Sequence, residues 1–131
     1  MYKYSPLPPE LVKASDDYKE TNDCTVKAFA IAFNTTYAKA HNHLHKYCGR
    51  QRGKGIKSSR TIPKSLKHSK VKEGPYSRSN RITLSQFCKK HPEGRYYVSV
   101  TGHALAVIDG TVYDHSDRPR RQVTWALRIH N

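Results

Sequence analysis

The sequence predicts an α+β domain, with helices first and an antiparallel sheet after them. Three observations predict it. Val26 to Phe33 is an apolar run interrupted only by Lys27, and a helix apolar on nearly all faces belongs in the middle of a domain. From Arg95 onward apolar residues recur at every second position, the period of a strand. Asp109-Gly110 lies between two such alternating stretches, a strong signal for a tight hairpin.

Each element has its own local reason. Residues 1–10 hold three prolines and read as an extended arm, leaving 11–131 as the single domain. Leu11 to Tyr18 reads as a short helix. Asn22 or Asp23 is a natural N-cap, which puts Cys24 in the first turn of the apolar helix. Asn34-Thr35-Thr36 breaks that helix, and either threonine can cap a second one running to about Tyr47, with Gly49 just past its end. Residues 49–82, rich in Gly, Ser and Lys, read as a basic surface excursion. Thr83-Leu84-Ser85-Gln86 matches a capping box and starts a helix to about Lys90. His91-Pro92-Glu93-Gly94 stops it.

The strands follow. Arg95 to Val100, His103 to Ile108 and Thr111 to Asp114 are predicted strands, the last two joined by a type I′ turn. Asp117-Arg118-Pro119-Arg120 is a polar turn. Gln122 to Ile129 alternates, with Val123, Trp125, Leu127 and Ile129 assigned to one face.

Composition narrows the partners. The 131 residues suffice for one domain with a modest core. Net charge is +14, an excess that attracts polyanions. Eleven Lys or Arg and one acid, Glu73, fall between Arg50 and Arg81, so +10 of the +14 sits in one segment. Arg50, Arg52, Lys54, Lys57 and Arg60 are the expected contacts to nucleic acid or an acidic protein. Tyr76 is the only aromatic residue there, too few for a single-strand stacking platform. No apolar run is long enough to span a bilayer, and no membrane partner is expected. The first residues lack a secretory pattern, and three cysteines cannot all pair within one chain. Both point to a cytoplasmic protein with reduced thiols.

Three distant residues suggest chemistry. With Asp109-Gly110 as the loop, Val107 opposes Val112 and Ala106 opposes Tyr113. His103 and Asp114 then share a face as diagonal neighbours. Cys24 opens a helix, where the dipole favours thiolate. The implied roles are Cys24 as nucleophile, His103 as general base and acid, and Asp114 as the group that orients the imidazole. Asp117 is the fallback for the third position. The Cys24 backbone N–H, with Asn22 as side-chain donor, is the expected oxyanion site.

These residues resemble the papain-like cysteine peptidase superfamily. There the catalytic cysteine opens a central helix, the histidine starts a strand and an Asp or Asn sits on the next. Asp23-Cys24 before an apolar helix is similar to the leader-peptidase domains of bacteriocin exporters. The chain resembles more closely a set of small phage and bacterial proteins. Shared motifs are Asn22-Asp23-Cys24, Gly49-Arg50-Gln51-Arg52-Gly53-Lys54-Gly55, His91 to Tyr96 and His103 to Gly110. The resemblance covers about residues 21–115. It implies a papain-like fold in which the N-terminal central helix, carrying the cysteine, packs on a C-terminal antiparallel sheet. It also implies a thiol hydrolase, phage-encoded, cleaving a host or phage protein. Two departures stand out. Tyr18 occupies the position of the family's usual glutamine, and the His103-to-Asp114 spacing is short.

Two other readings compete. His41, His45 and Cys48 share a helix face at a spacing that can hold zinc, with Cys88 or His91 as distant candidates for a fourth ligand. A polar helix surface is the simpler reading, so neither a metal nor a cofactor is expected. A catalytically inert basic module on the same fold, contacting nucleic acid or an acidic protein, is the alternative to the enzyme.

Overall fold

The computed structural model describes residues 3–19, 23–48, 68–70, 82–100 and 103–129. In chain order these form β1 (Lys3–Pro6), α1 (Pro9–Asp17), α2 (Cys24–Ala32), α3 (Tyr37–Cys48), β2 (His68–Lys70), β3 (Ile82–Thr83), α4 (Leu84–Lys90), β4 (Arg95–Val100), β5 (His103–Ile108), β6 (Thr111–Asp114) and β7 (Gln122–Ile129). The class is α+β. Some expected features fall outside the described residues: Asn22, Arg50, Arg52, Lys54, Lys57 and Arg60 among the site residues, and the basic excursion apart from β2 and Ile82.

The sheet runs β1-β6-β5-β4-β7-β2, with β3 also paired to β7. Its central pairs are antiparallel. The hairpin register is the expected one, with Ile108 opposite Thr111, Val107 opposite Val112 and Ala106 opposite Tyr113. Asp109 and Gly110 both have positive φ, 49° and 78°, as a type I′ turn requires. Asp109 also ties the turn to the start of β4: its Oδ1 accepts from the Gly94 N–H at 2.9 Å.

Two expectations need correction. The N-terminal arm is extended but is not a separate piece: β1 pairs in parallel with β6, Lys3 against Thr111 through Pro6 against Asp114. The sheet is therefore mixed, and α1 begins at Pro9, whose missing N–H costs nothing at a helix start. In β7 the alternation breaks. Ser99 pairs with Trp125 but Val100 pairs with Val123, so Thr124 is an extra residue, a β-bulge. Its hydroxyl donates to the Ser99 carbonyl at 3.0 Å. Leu127 and Ile129 pack with the helices, while Val123 joins the opposite face.

Both faces of the sheet are covered. On one, Tyr97, Ala104, Ala106, Leu127 and Ile129 meet the buried residues of α2 and α3, among them Val26, Phe29 and Leu44. On the other, Val98, Leu105, Val107 and Val112 meet Leu84, Phe87 and Cys88 of α4. α4 starts at the expected capping box: Thr83 Oγ1 accepts from the Gln86 N–H, and Gln86 Oε1 accepts from the Thr83 N–H. α2 is buried along nearly its whole length, which fixes its first residue against the sheet. Each large apolar side chain so buried contributes about 1.5–3 kcal/mol. Arg95 clamps the far end of α2 by donating to the carbonyls of Ile31 and Ala32, where a cation suits the helix dipole. Among the described residues no helix is long and apolar enough to cross a membrane.

Candidate active site

Cys24 is the first residue of α2, and its side chain is half-buried. Its N-cap, Asp23, does not cap through its side chain. The carboxylate turns instead into the helical layer, accepting hydrogen bonds from Ser15 of α1 and from the Tyr37 hydroxyl of α3 at 2.7 Å. Lys27, one turn along α2, stands 3.1 Å from its other oxygen. Burial pushes the Asp23 carboxyl up, and these three partners more than offset that, holding it below the ordinary value. Three helices are thus tied together at the residue before the thiol.

The sheet supplies the other two groups. His103 begins β5 and Asp114 ends β6. Their separation of eleven residues is spanned by the tight turn, and His103 Nε2 lies 2.8 Å from Asp114 Oδ1. Both side chains are nearly excluded from water, 9% and 6% exposed. The same imidazole hydrogen-bonds to Cys24, as does the backbone of Ala104. With Nε2 committed to Asp114, Nδ1 is the nitrogen left to exchange a proton with the thiol. The structure thus brings together Cys24, His103 and Asp114. Asp117, the fallback third member, is not the carboxylate bonded to His103.

The electrostatics follow from the contacts. Burial pushes the Cys24 thiol up, and the His103 and Ala104 hydrogen bonds outweigh it, so the thiol sits below its ordinary value. Burial pushes His103 down, yet Asp114 and Cys24 raise it to about 9. Asp114 is likewise pushed up by burial, but pairing with His103 and the His115 N–H holds it low. All three directions favour thiolate beside imidazolium beside carboxylate. Cys88 shows the contrast: buried among Leu84, Phe87 and Tyr96, its thiol is pushed up to about 11.

Two supports were not expected from sequence. The Tyr4 hydroxyl donates to the Asp114 backbone carbonyl at 2.9 Å, so the N-terminal strand steadies the carboxylate. His115 contributes twice: its N–H donates to Asp114 Oδ1 at 2.8 Å and its ring Nδ1 lies 3.0 Å from the same oxygen. The signal for His115 was its adjacency to Asp114 at a strand end, where the chain turns and both side chains can face one spot.

The helix-face zinc reading gains no support. The His41 ring packs against Tyr18 and Tyr37, and the side chain of Cys48 lies outside the description. Among the described residues, the single cluster of three ligand-type side chains is His103, Asp114 and His115. A cleft of about 490 Å³ opens near the other end of α2, lined by residues such as Leu11, Tyr18, Ile31 and Tyr37 and not by Cys24, His103 or Asp114. No protein-family model, curated protein or solved structure matches this chain.

Proposed function

We propose that this chain is a small papain-like thiol hydrolase, a peptidase or isopeptidase acting in the cytosol on a phage or host protein. Cys24 is the nucleophile, His103 the general acid and base, and Asp114 the group that holds the ring. The observation that carries the reading is one imidazole that bonds a carboxylate through Nε2 and also hydrogen-bonds a thiol at a helix start. The position of the buried helix against one sheet face, with histidine and aspartate on neighbouring strands, supports the papain-like assignment.

The steps balance on these groups. The Cys24 thiolate attacks a carbonyl carbon, and the carbonyl electrons move to oxygen. The Cys24 backbone N–H, which has no acceptor within its own helix, is a donor for that oxyanion. Imidazolium gives its Nδ1 proton to the departing amine as the C–N bond breaks, leaving a thioester. His103 then takes a proton from water, hydroxide adds to the thioester, and the acid departs as thiolate and imidazolium re-form.

The test is trapping. Incubation with an activated ester, followed by intact-mass analysis, should show an acyl group on Cys24 that turns over in the wild type. In His103→Ala acylation should slow and the adduct should persist. No Cys24 adduct in either protein defeats the hydrolase reading. A second reading, polyanion binding by an inert module, stands on the +10 charge of residues 50–81. It requires salt-sensitive association with duplex DNA or an acidic protein, undiminished in Cys24→Ser.

A further inference from the structure

We propose that His103, Asp114 and His115 form a binding site for a divalent metal ion of the zinc and cobalt class, and that the ion takes the place of the proton between His103 Nε2 and Asp114. One ligand-type atom from each residue lies within 4.8 Å of the others. Asp114 Oδ1 sits between the two rings, 2.8 Å from His103 Nε2 and 3.0 Å from His115 Nδ1. Two imidazoles and a carboxylate suit such an ion and leave a fourth position open.

The geometry is close to what coordination needs. Zn–N bonds of about 2.0–2.1 Å at a tetrahedral angle put two ring centres roughly 5 Å apart and donor atoms roughly 3.3 Å apart. The His103 and His115 ring centres are 5.0 Å apart, with the rings near perpendicular at 88°. The two contacts to Asp114 therefore need to open by only a few tenths of an ångström. His103 and Asp114 are enclosed, whereas the His115 side chain is 63% exposed. The third ligand can swing to adjust, and the ion has a path from solvent on that side.

Binding displaces the proton shared by His103 Nε2 and Asp114, which leaves to solvent. The metallated ring keeps one proton on Nδ1. With both nitrogens occupied it cannot accept a proton from thiol or water. It could give up its remaining one only as imidazolate. Reversible inhibition is the consequence, and that part rests on the hydrolase reading; the binding does not.

The test is a Zn²⁺ titration against a chromophoric chelator, with Co²⁺ absorption reporting the ligand field. Wild type, His115→Ala, His41→Ala and Cys24→Ser are compared. Wild type, His41→Ala and Cys24→Ser should each take up one equivalent at the site, and His115→Ala should bind at least about tenfold more weakly. Equal uptake by wild type and His115→Ala overturns the site, as does loss confined to His41→Ala, which would move the ion to α3. His115 is exposed, and an unchanged circular-dichroism spectrum confirms that its variant is folded. Metal uptake in a protein whose Cys24 cannot be acylated upholds the site while the hydrolase reading fails, so the two ideas fall separately.

Discussion

Replacing His103 with alanine removes the largest of the contacts that hold the Cys24 thiol below its ordinary value, and the effect follows from those contacts. Burial disfavours a charged ring, yet the His103 pKa rises from 6.5 to about 9 because Asp114 and Cys24 both favour imidazolium. A rise of that size is roughly 3 kcal/mol of preference for the charged ring. Asp114 supplies the larger part of that preference and Cys24 the next, both against the cost of burial. In His103→Ala the burial of Cys24 remains while its main partner is gone. An ordinary thiol is only about 0.3% ionised at pH 6, and the variant should fall to that level or lower. The assay is the rate of iodoacetamide labelling at pH 6, followed by intact mass in a Cys48→Ser background. Cys88 will not interfere, since it is buried and its thiol is pushed up to about 11. Labelling of Cys24 should drop at least about tenfold. Equal rates in the two proteins would refute the coupling of ring and thiol.

Other substitutions probe the supports. Asp23 is held below its ordinary value of 3.8, so its stabilisation is full above that pH and is lost as pH falls through the lower folded value. Asp23→Asn should therefore cost about 2 kcal/mol at pH 7, with the gap to wild type narrowing below pH 4 in urea melts. Gly110 has φ of 78°, so Gly110→Val should cost about 1–2 kcal/mol and lower the Tm by several degrees in a calorimetric scan. Arg95→Leu leaves the Ile31 and Ala32 carbonyls without their donor, a loss of about 1–3 kcal/mol. Amide exchange should quicken in the last turn of α2 before it does in β5.

Much of this arrangement was legible in the chain because local rules dominate there. The Asp109-Gly110 turn sets the register, and the register puts Asp114 within reach of His103. The apolar run from Val26 and the Thr83 capping box are equally local. What stayed hidden depends on contacts far apart in sequence. β1 forms because β6 offers an edge 105 or more residues away, between Pro6 and Thr111 at the least, and a Pro-rich segment carries little strand signal of its own. The bulge at Thr124 looks like unbroken alternation until β4 is laid beside it. Asp23 has the residue type of an N-cap, but Ser15, Tyr37 and Lys27 compete for it and win. His115 gave no pattern beyond its place next to Asp114.

The protonation state of His103 tests the proposed centre most directly. Side-chain ¹⁵N NMR, with the His103 signals assigned by comparison with His103→Ala, follows both ring nitrogens through a pH titration. A midpoint near 9 is expected, with the ring still charged at pH 8 and the midpoint falling in Asp114→Asn. A ring that titrates near 6.5 in the wild type, unmoved by Asp114→Asn or Cys24→Ser, would contradict a thiolate–imidazolium–carboxylate centre.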